Sequence, residues 1–193
     1  LTNIAKAISN NTSFNPVEVD ISKLEITEIP EGVFKSLGNL SSIMLSDKVQ
    51  KIGKESFSGC SSLVNVRFSG GLTDILNGAF SNCSSLTLVM LSSDKLTNIS
   101  DNAFYGNYSL QNLVLPANIS NVCDTAFSGC GQLKNIEYLG TNTNINGSPF
   151  SSGSSPSNLY LPSSTNSTIY GYFNGKSFLG KTWTIHTNKH IPS

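Results

Sequence analysis

Apolar positions recur along this chain at an interval far longer than that of a helix or a strand. Phenylalanines fall at Phe34, Phe57, Phe80, Phe104, Phe127 and Phe150, at intervals of 23, 23, 24, 23 and 23 residues. Three leucine-type columns keep the same beat: Leu40, Leu63, Leu86, Leu110 and Leu133; Ile43, Val66, Val89, Leu113, Ile136 and Leu159; and Leu45, Phe68, Leu91, Leu115, Tyr138 and Leu161. Two further columns precede the phenylalanines, through Ile26, Val49, Leu72, Leu96 and Ile119, and through Ile29, Ile52, Ile75, Ile99, Val122 and Ile145. The one extra residue lies between Leu91 and Leu96, in SSDK, where a turn absorbs it. A fixed period of this length predicts stacked coils that share one continuous core.

Within a coil the pattern changes character. Val66 and Phe68 alternate with Asn65 and Arg67, which predicts a short strand with one face inward. Leu72 and Ile75 follow a turn and point inward, and NGAFSNC predicts a short helical turn with Phe80 and Cys83 on one side. The residue three before each Phe is Glu31, Lys54, Asn77, Asp101, Asp124 or Gly147. Asp, Asn and Gly suit a helix N-cap, so Asp101 and Asp124 read as caps rather than as a carboxylate pair. The residue two after Phe is Gly59, Asn82, Gly106 or Gly129, types that tolerate the left-handed conformation ending a helical turn.

The ends depart from the period. Leu1, Ile4, Ala5 and Ile8 share a helical face, which predicts an amphipathic helix covering the first coil. Asn10 to Pro16 reads as a loop, and Val17, Val19 and Ile21 as a strand about one residue out of register with the later ones. After Leu139 the pattern decays, with Pro156 in place of Leu. Leu159 and Leu161 restore it, and then Tyr170, Tyr172, Phe173, Phe178, Trp183 and Ile185 concentrate aromatic bulk. The expected organisation is a single structural domain: an N-terminal cap over residues 1–25, repeats over 26–162 and a C-terminal cap over 163–193, with one last strand around Trp183 and Ile185.

The unit reads L-x-x-I-x-L, then V-x-x-I, then (A/S)-F-x-(G/N)-C-x-x-L. In IGKESFSGCSSLVNVRF, NGAFSNCSSLTLVML, NAFYGNYSLQNLVLP and CDTAFSGCGQLKNIEYL it closely resembles the BspA-like (Treponema pallidum-type) leucine-rich repeats, over about residues 22–162. The resemblance implies an α/β repeat solenoid: a right-handed leucine-rich-repeat array of about six 23-residue coils, with a parallel sheet on one face and short helical turns opposite, capped at both ends. It implies a bacterial cell-surface or secreted protein, some relatives being adhesins for host matrix or cell-surface proteins. The matched columns are structural and carry over no binding residue.

Composition narrows the chemistry. Twelve Lys and Arg balance twelve Asp and Glu, with charged residues only 12% of the 193. No basic stripe appears, so nucleic acid is not the expected partner. No apolar run approaches the roughly 18–20 residues needed to span a bilayer. The chain opens LTNIAKAI without a secretory leader, which a mature secreted protein would have lost in any case. Cys60, Cys83 and Cys130 share the position three after Phe, where Leu37 and Asn107 replace them. That predicts inward, free thiols, since in-register side chains point parallel rather than at each other. Cys123 lies off this column, and a Cys123–Cys130 bridge stays open. His186 and His190, four apart in HTNKH, lack a helix to hold a metal, and no nucleophile–base pairing is in view. No cofactor, metal or catalytic residue is expected. Sequons at Asn39, Asn82, Asn98, Asn107, Asn118, Asn146 and Asn166 reflect Asn- and Ser-rich turns, and a glycan on Asn107 would conflict with packing.

The outward strand positions remain. One column runs Met44, Arg67, Met90, Val114, Glu137 and Tyr160, and holds both methionines of the chain; beside it runs Ser42, Asn65, Leu88, Asn112, Asn135 and Asn158. Strands ~4.8 Å apart would spread six such positions over roughly 24 Å. The expected contact surface for a protein partner is Met44, Arg67, Leu88, Met90, Val114, Glu137 and Tyr160, because exposed apolar strips mark interaction sites and Met adapts to varied partners. Two alternatives stay open: ordinary sheet surface, and a structural spacer within a larger surface protein.

Overall fold

The computed structural model describes residues 1–11, 15–150, 152–161, 177–187 and 189–192. Tyr170, Tyr172, Phe173 and Asn166, all singled out above, lie outside those residues. The apolar columns become the interior of a parallel β-solenoid. Among the described residues one face carries eight strands: β1 (Val17–Asp20), β3 (Leu40–Met44), β5 (Asn65–Arg67), β7 (Leu88–Met90), β9 (Asn112–Leu115), β11 (Asn135–Tyr138), β12 (Asn158–Leu161) and β13 (Thr184–Thr187). They form two parallel sheets, β1-β3-β5 and β7-β9-β11-β12-β13, which part between β5 and β7. At that parting Val66 is only partly buried, although its column is inward elsewhere. Phe68, in the next coil position, meets Phe80 edge-on with ring centroids 5.5 Å apart.

A second face, not foreseen from the sequence, carries five two-residue strands in one parallel ladder. These are β2 (Glu28–Ile29), β4 (Lys51–Ile52), β6 (Asp74–Ile75), β8 (Asn98–Ile99) and β10 (Asn121–Val122). The isoleucine column is its inward side. Each strand is too short for alternation to show, so only the apolar member of each pair left a trace.

The phenylalanines stack through the middle. Ring centroids lie 5.2, 4.9, 5.3 and 5.1 Å apart from Phe34 to Phe127, with planes within 15° of parallel. That spacing follows the strand spacing, since each ring hangs from one coil. Phe150 sits 6.0 Å from Phe127 and tilted 34°, at the coil where the sequence pattern decays. Trp183 then meets Phe150 nearly perpendicular, and its indole N–H donates to the Phe178 carbonyl at 2.8 Å.

The segments around the phenylalanines are runs of turns, where helical turns were expected. Their amides bond forward to the next coil: Phe57 N–H to the Ala79 carbonyl at 2.8 Å, Phe80 to Ala103 at 2.7 Å and Phe104 to Ala126 at 2.8 Å. Alternate amides close single turns, such as Ser81 N–H to the Gly78 carbonyl at 3.0 Å, but the Phe amides are bound to the neighbouring coil, so no continuous helix forms. Asp101 and Asp124 therefore cap no helix. Asp101 Oδ1 accepts from the Thr125 hydroxyl at 3.1 Å and Asp124 Oδ1 from the Ser148 amide at 2.8 Å, each tying one coil to the next. The left-handed residues two after Phe are as expected, Gly59, Asn82, Gly106 and Gly129 having φ between 58° and 76°.

At the N-terminus, α1 (Thr2–Ser9) buries Ala5 and Ile8, with Leu1 and Ile4 packed against the core. Strand β1 pairs with β3, Val19 opposite Ile43, and the one-residue offset appears as a bulge between Val17 and Glu18. At the other end β13 pairs with β12, Ile185 opposite Leu159.

The third position after Phe forms a polar ladder inside the core. Cys60, Cys83 and Cys130 are fully buried free thiols, and Cys123 is a free, partly buried one. Each buried Sγ donates to the carbonyl of the Phe in the coil before: Cys60 to Phe34 at 3.0 Å, Cys83 to Phe57 at 3.1 Å and Cys130 to Phe104 at 3.2 Å. Asn107 fills the gap in this series by donating to both Phe80 and Phe104 carbonyls, at 3.1 and 3.0 Å. The column thus serves the backbone as well as the packing, and Asn107 is buried within it.

Candidate functional site

The alternation that turns Val89 inward turns Leu88 and Met90 outward on β7. They are 41% and 53% exposed, in a chain whose inward aliphatic columns are otherwise almost wholly covered. On the neighbouring sheet Met44 of β3 pairs in register with Arg67 of β5, and an Arg67 guanidinium nitrogen lies 3.4 Å from Met44 Sδ. Arg67 is the only arginine of the chain and is exposed, and among the described residues it forms no ion pair. Arg67, Leu88 and Met90 therefore share an open surface, with Met44 half-buried at its edge.

Val114, Glu137 and Tyr160 do not. Their side chains leave the same face, yet the three are only 6–7% exposed. The reason is the segment from His186 to Ile191. His186, on β13, stacks on Tyr160 with ring centroids 4.6 Å apart and planes 15° from parallel. Beyond β13 the chain crosses the sheet face, so that His190 Nδ1 pairs with Glu137 Oε1 and the Ile191 amide donates to Glu137 Oε2 at 3.2 Å. A carboxylate only accepts, so His190 carries its proton on Nδ1. The expectation of seven residues open to solvent is thus corrected to three open (Arg67, Leu88 and Met90), one half-buried (Met44) and three covered. Periodicity could not reveal this, because residues 189–192 lie outside the repeat; a carboxylate in a largely apolar outward column was the one clue that a hydrogen-bond donor would be found for it.

The covered and open halves meet in a cleft of about 650 Å³. Its walls include Leu88, Met90 and Val114 from the sheet and His190, Ile191 and Pro192 from the chain end. A second cleft, of about 610 Å³, lies over the parting between β5 and β7, lined by Met44, Arg67 and Phe68 among others, and shares Leu88, Met90 and Ser92 with the first. The two form one trough across the strands. Along one border runs an amide ladder: His186 Nε2 lies 3.3 Å from Asn158 Oδ1, Asn158 donates to Asn135 at 2.9 Å, and Asn135 to Asn112 at 2.8 Å. Leu88 stands where the next Asn would be, so the ladder ends at Asn112, whose side chain lines the cleft.

Among the described residues no three His, Cys, Asp or Glu cluster as metal ligands, and no helix is long and apolar enough to cross a membrane. His186 and His190 engage Tyr160 and Glu137 separately. Burial pushes the Cys60 and Cys130 thiols up to about 12 and Cys83 higher still, which keeps all three protonated and unreactive at neutral pH.

The chain is similar in structure to several bacterial proteins. A leucine rich cell surface protein from Faecalibacterium prausnitzii superposes with a TM-score of 0.64 at 29% identity, over 68% of this chain and 35% of that one. The T. pallidum Leucine Rich Repeat protein gives 0.58 at 22%, over 90% and 70%. The pneumococcal vaccine antigen PcpA gives 0.69 at 20%, over 91% and 42%. The last two identities show the fold alone, and the chain spans well under half of the Faecalibacterium protein and of PcpA. No curated protein matches it. The BspA type leucine rich repeat region matches in six copies, over residues 27–157 and 97–191, and the chain belongs to that family.

Proposed function

We propose that this chain is a protein-binding module of a bacterial cell-surface or secreted protein, and that its contact is the trough on the strand face. The observation that carries this is the pair Leu88 and Met90, large apolar side chains left open at the junction of two clefts. With about half of each side chain still in water, burial of roughly 0.7–1.5 kcal/mol each is forgone, which a partner would recover. Arg67 supplies a directional group at the rim, and Arg beside apolar side chains is the composition of interface anchors. The family, and a similar structure described as a cell surface protein, support surface placement. An adhesin role, with host matrix or host-cell proteins as partners, is the specific form of the proposal. A spacer with no ligand of its own would need no such trough.

The test is a solid-phase binding screen of the full chain against matrix proteins and host-cell surfaces, repeated with Leu88→Ser/Met90→Ser. Binding that falls by more than about tenfold, or ~1.4 kcal/mol, in a folded double variant supports the trough as the contact. Undiminished binding places the contact elsewhere.

A further inference from the structure

Glu137 is an outward-facing carboxylate on the middle of the second sheet, and it is 6% exposed. A buried carboxylate is costly unless both oxygens are satisfied. Here one oxygen takes the His190 ring N–H and the other takes the Ile191 backbone N–H. This is how a protein face holds an extended peptide: one charge-assisted bond to a side chain, one to the backbone, and an apolar residue set beside an apolar wall. The segment supplying these groups is itself poorly buried. The His190 side chain is 71% exposed, Ile191 is half-buried, and Lys189 and Pro192 are exposed. Among the described residues, two hydrogen bonds to the Glu137 side chain and one half-buried aliphatic residue hold it, while the site beneath it is buried. The adjoining cleft gives an incoming chain access along Leu88 and Met90.

We propose that the face around Glu137 is a receptor site for a short extended peptide segment of a partner protein, in which a cationic or histidine residue precedes an aliphatic one. Residues 189–192 are then a resident internal ligand that the external segment displaces. This rests on the strand face being the contact surface and names the element of the partner that it recognises. Charge complementarity sets the order of residues: the cation meets Oε1, the next backbone amide meets Oε2, and the aliphatic side chain lies toward Val114, which lines the same cleft as Ile191. Asn112, at the open end of the amide ladder, offers its side-chain N–H groups to a carbonyl of the same segment.

The probe is the blocked peptide Lys-His-Ile-Pro, titrated into the full chain while the methionine methyl resonances are followed. There are two methionines, and they report separately: Met90 lines the cleft beside His190 and Ile191, whereas Met44 lines the other cleft. A resident ligand lowers apparent affinity by the fraction of sites it leaves free. His190→Ala/Ile191→Gly should therefore bind the peptide at least about fivefold more tightly than the unaltered chain. The Met90 signal should move and Met44 stay still. Adding Glu137→Gln to that variant should weaken binding by about tenfold or more, because a charge-assisted pair is lost. A peptide with Glu in place of His should not bind. No Met90 shift in the loosened variant, or equal binding with Glu137→Gln, overturns the proposal. So does a wild-type dimer that His190→Ala converts to monomer, which would make the occupant a second copy. Leu88→Ser leaves both the Glu137 anchor and the Met90 reporter in place, so its loss of partner binding with peptide binding retained separates a failure of the trough from a failure of this site.

Discussion

At the scale of residues, the interior is a set of columns in which each side chain has the same neighbours above and below. Phe80 shows what this implies energetically. It is fully buried between Phe57 at 4.9 Å and Phe104 at 5.3 Å, so truncation opens a gap that neither ring can close. Phe80→Ala should cost about 3–5 kcal/mol, read as a lower denaturation midpoint; a midpoint equal to wild type would contradict the packing. The thiols test the neighbouring column. Cys60, Cys83 and Cys130 should react with a thiol reagent only after denaturation, Cys123 earlier, and all four should titrate without reductant. The raised thiols also have a pH consequence. A pKa held above its unfolded value gives stability that is complete below the ordinary thiol value of 9.0 and is lost as pH climbs toward about 12. Alkaline melting curves should therefore fall less steeply for Cys60→Ala/Cys83→Ala/Cys130→Ala than for wild type. A matching slope would place the alkaline loss in other groups. Column membership was legible from the 23-residue beat alone. The second duty of the cysteine column, donating to Phe carbonyls, was not, because Cys, Asn and Leu alternate there without a shared pattern.

At the scale of elements, coil meets coil through backbone as much as through side chains. The strand face was readable because three to five residues suffice for alternation. The second ladder and the turns were not, because two-residue strands have no period and turn residues satisfy several geometries. Asp101 and Asp124 illustrate the error: both residue types suit a helix cap, but the first claim on the local amides comes from the next coil. Two glycines separate close approach from open turn. Gly147 has φ +103°, and a Cβ there would sit 1.8 Å from the Val122 carbonyl oxygen. Gly70 has nothing within 4 Å. Gly147→Ala should destabilise by at least about 1–3 kcal/mol, while Gly70→Ala should stay within about 0.5 kcal/mol. Thermal melts of the two variants check this, and equal melting temperatures would deny that the decayed coil packs this tightly on its neighbour.

At the scale of the whole molecule, the strand face is divided. Its first half carries Arg67, Leu88 and Met90 in the open with Met44 half-buried, and its second half carries Val114, Glu137 and Tyr160 beneath residues 186–191. The repeat placed all seven on one face, and that much was legible. Which of them solvent reaches depended on where residues 184–192 return, and a non-repeating segment offers no column from which to read that. The division alters the choice of variants. Tyr160 is unsuitable for probing a contact, since it is covered and stacked on His186, whereas Leu88 and Met90 can be changed without opening the core. The most direct test of the trough as a binding surface is partner binding by Leu88→Ser/Met90→Ser beside the wild-type chain, with melting temperature measured on both. The account predicts an unchanged melt and binding weakened by more than about tenfold; an unchanged melt with undiminished binding would contradict it.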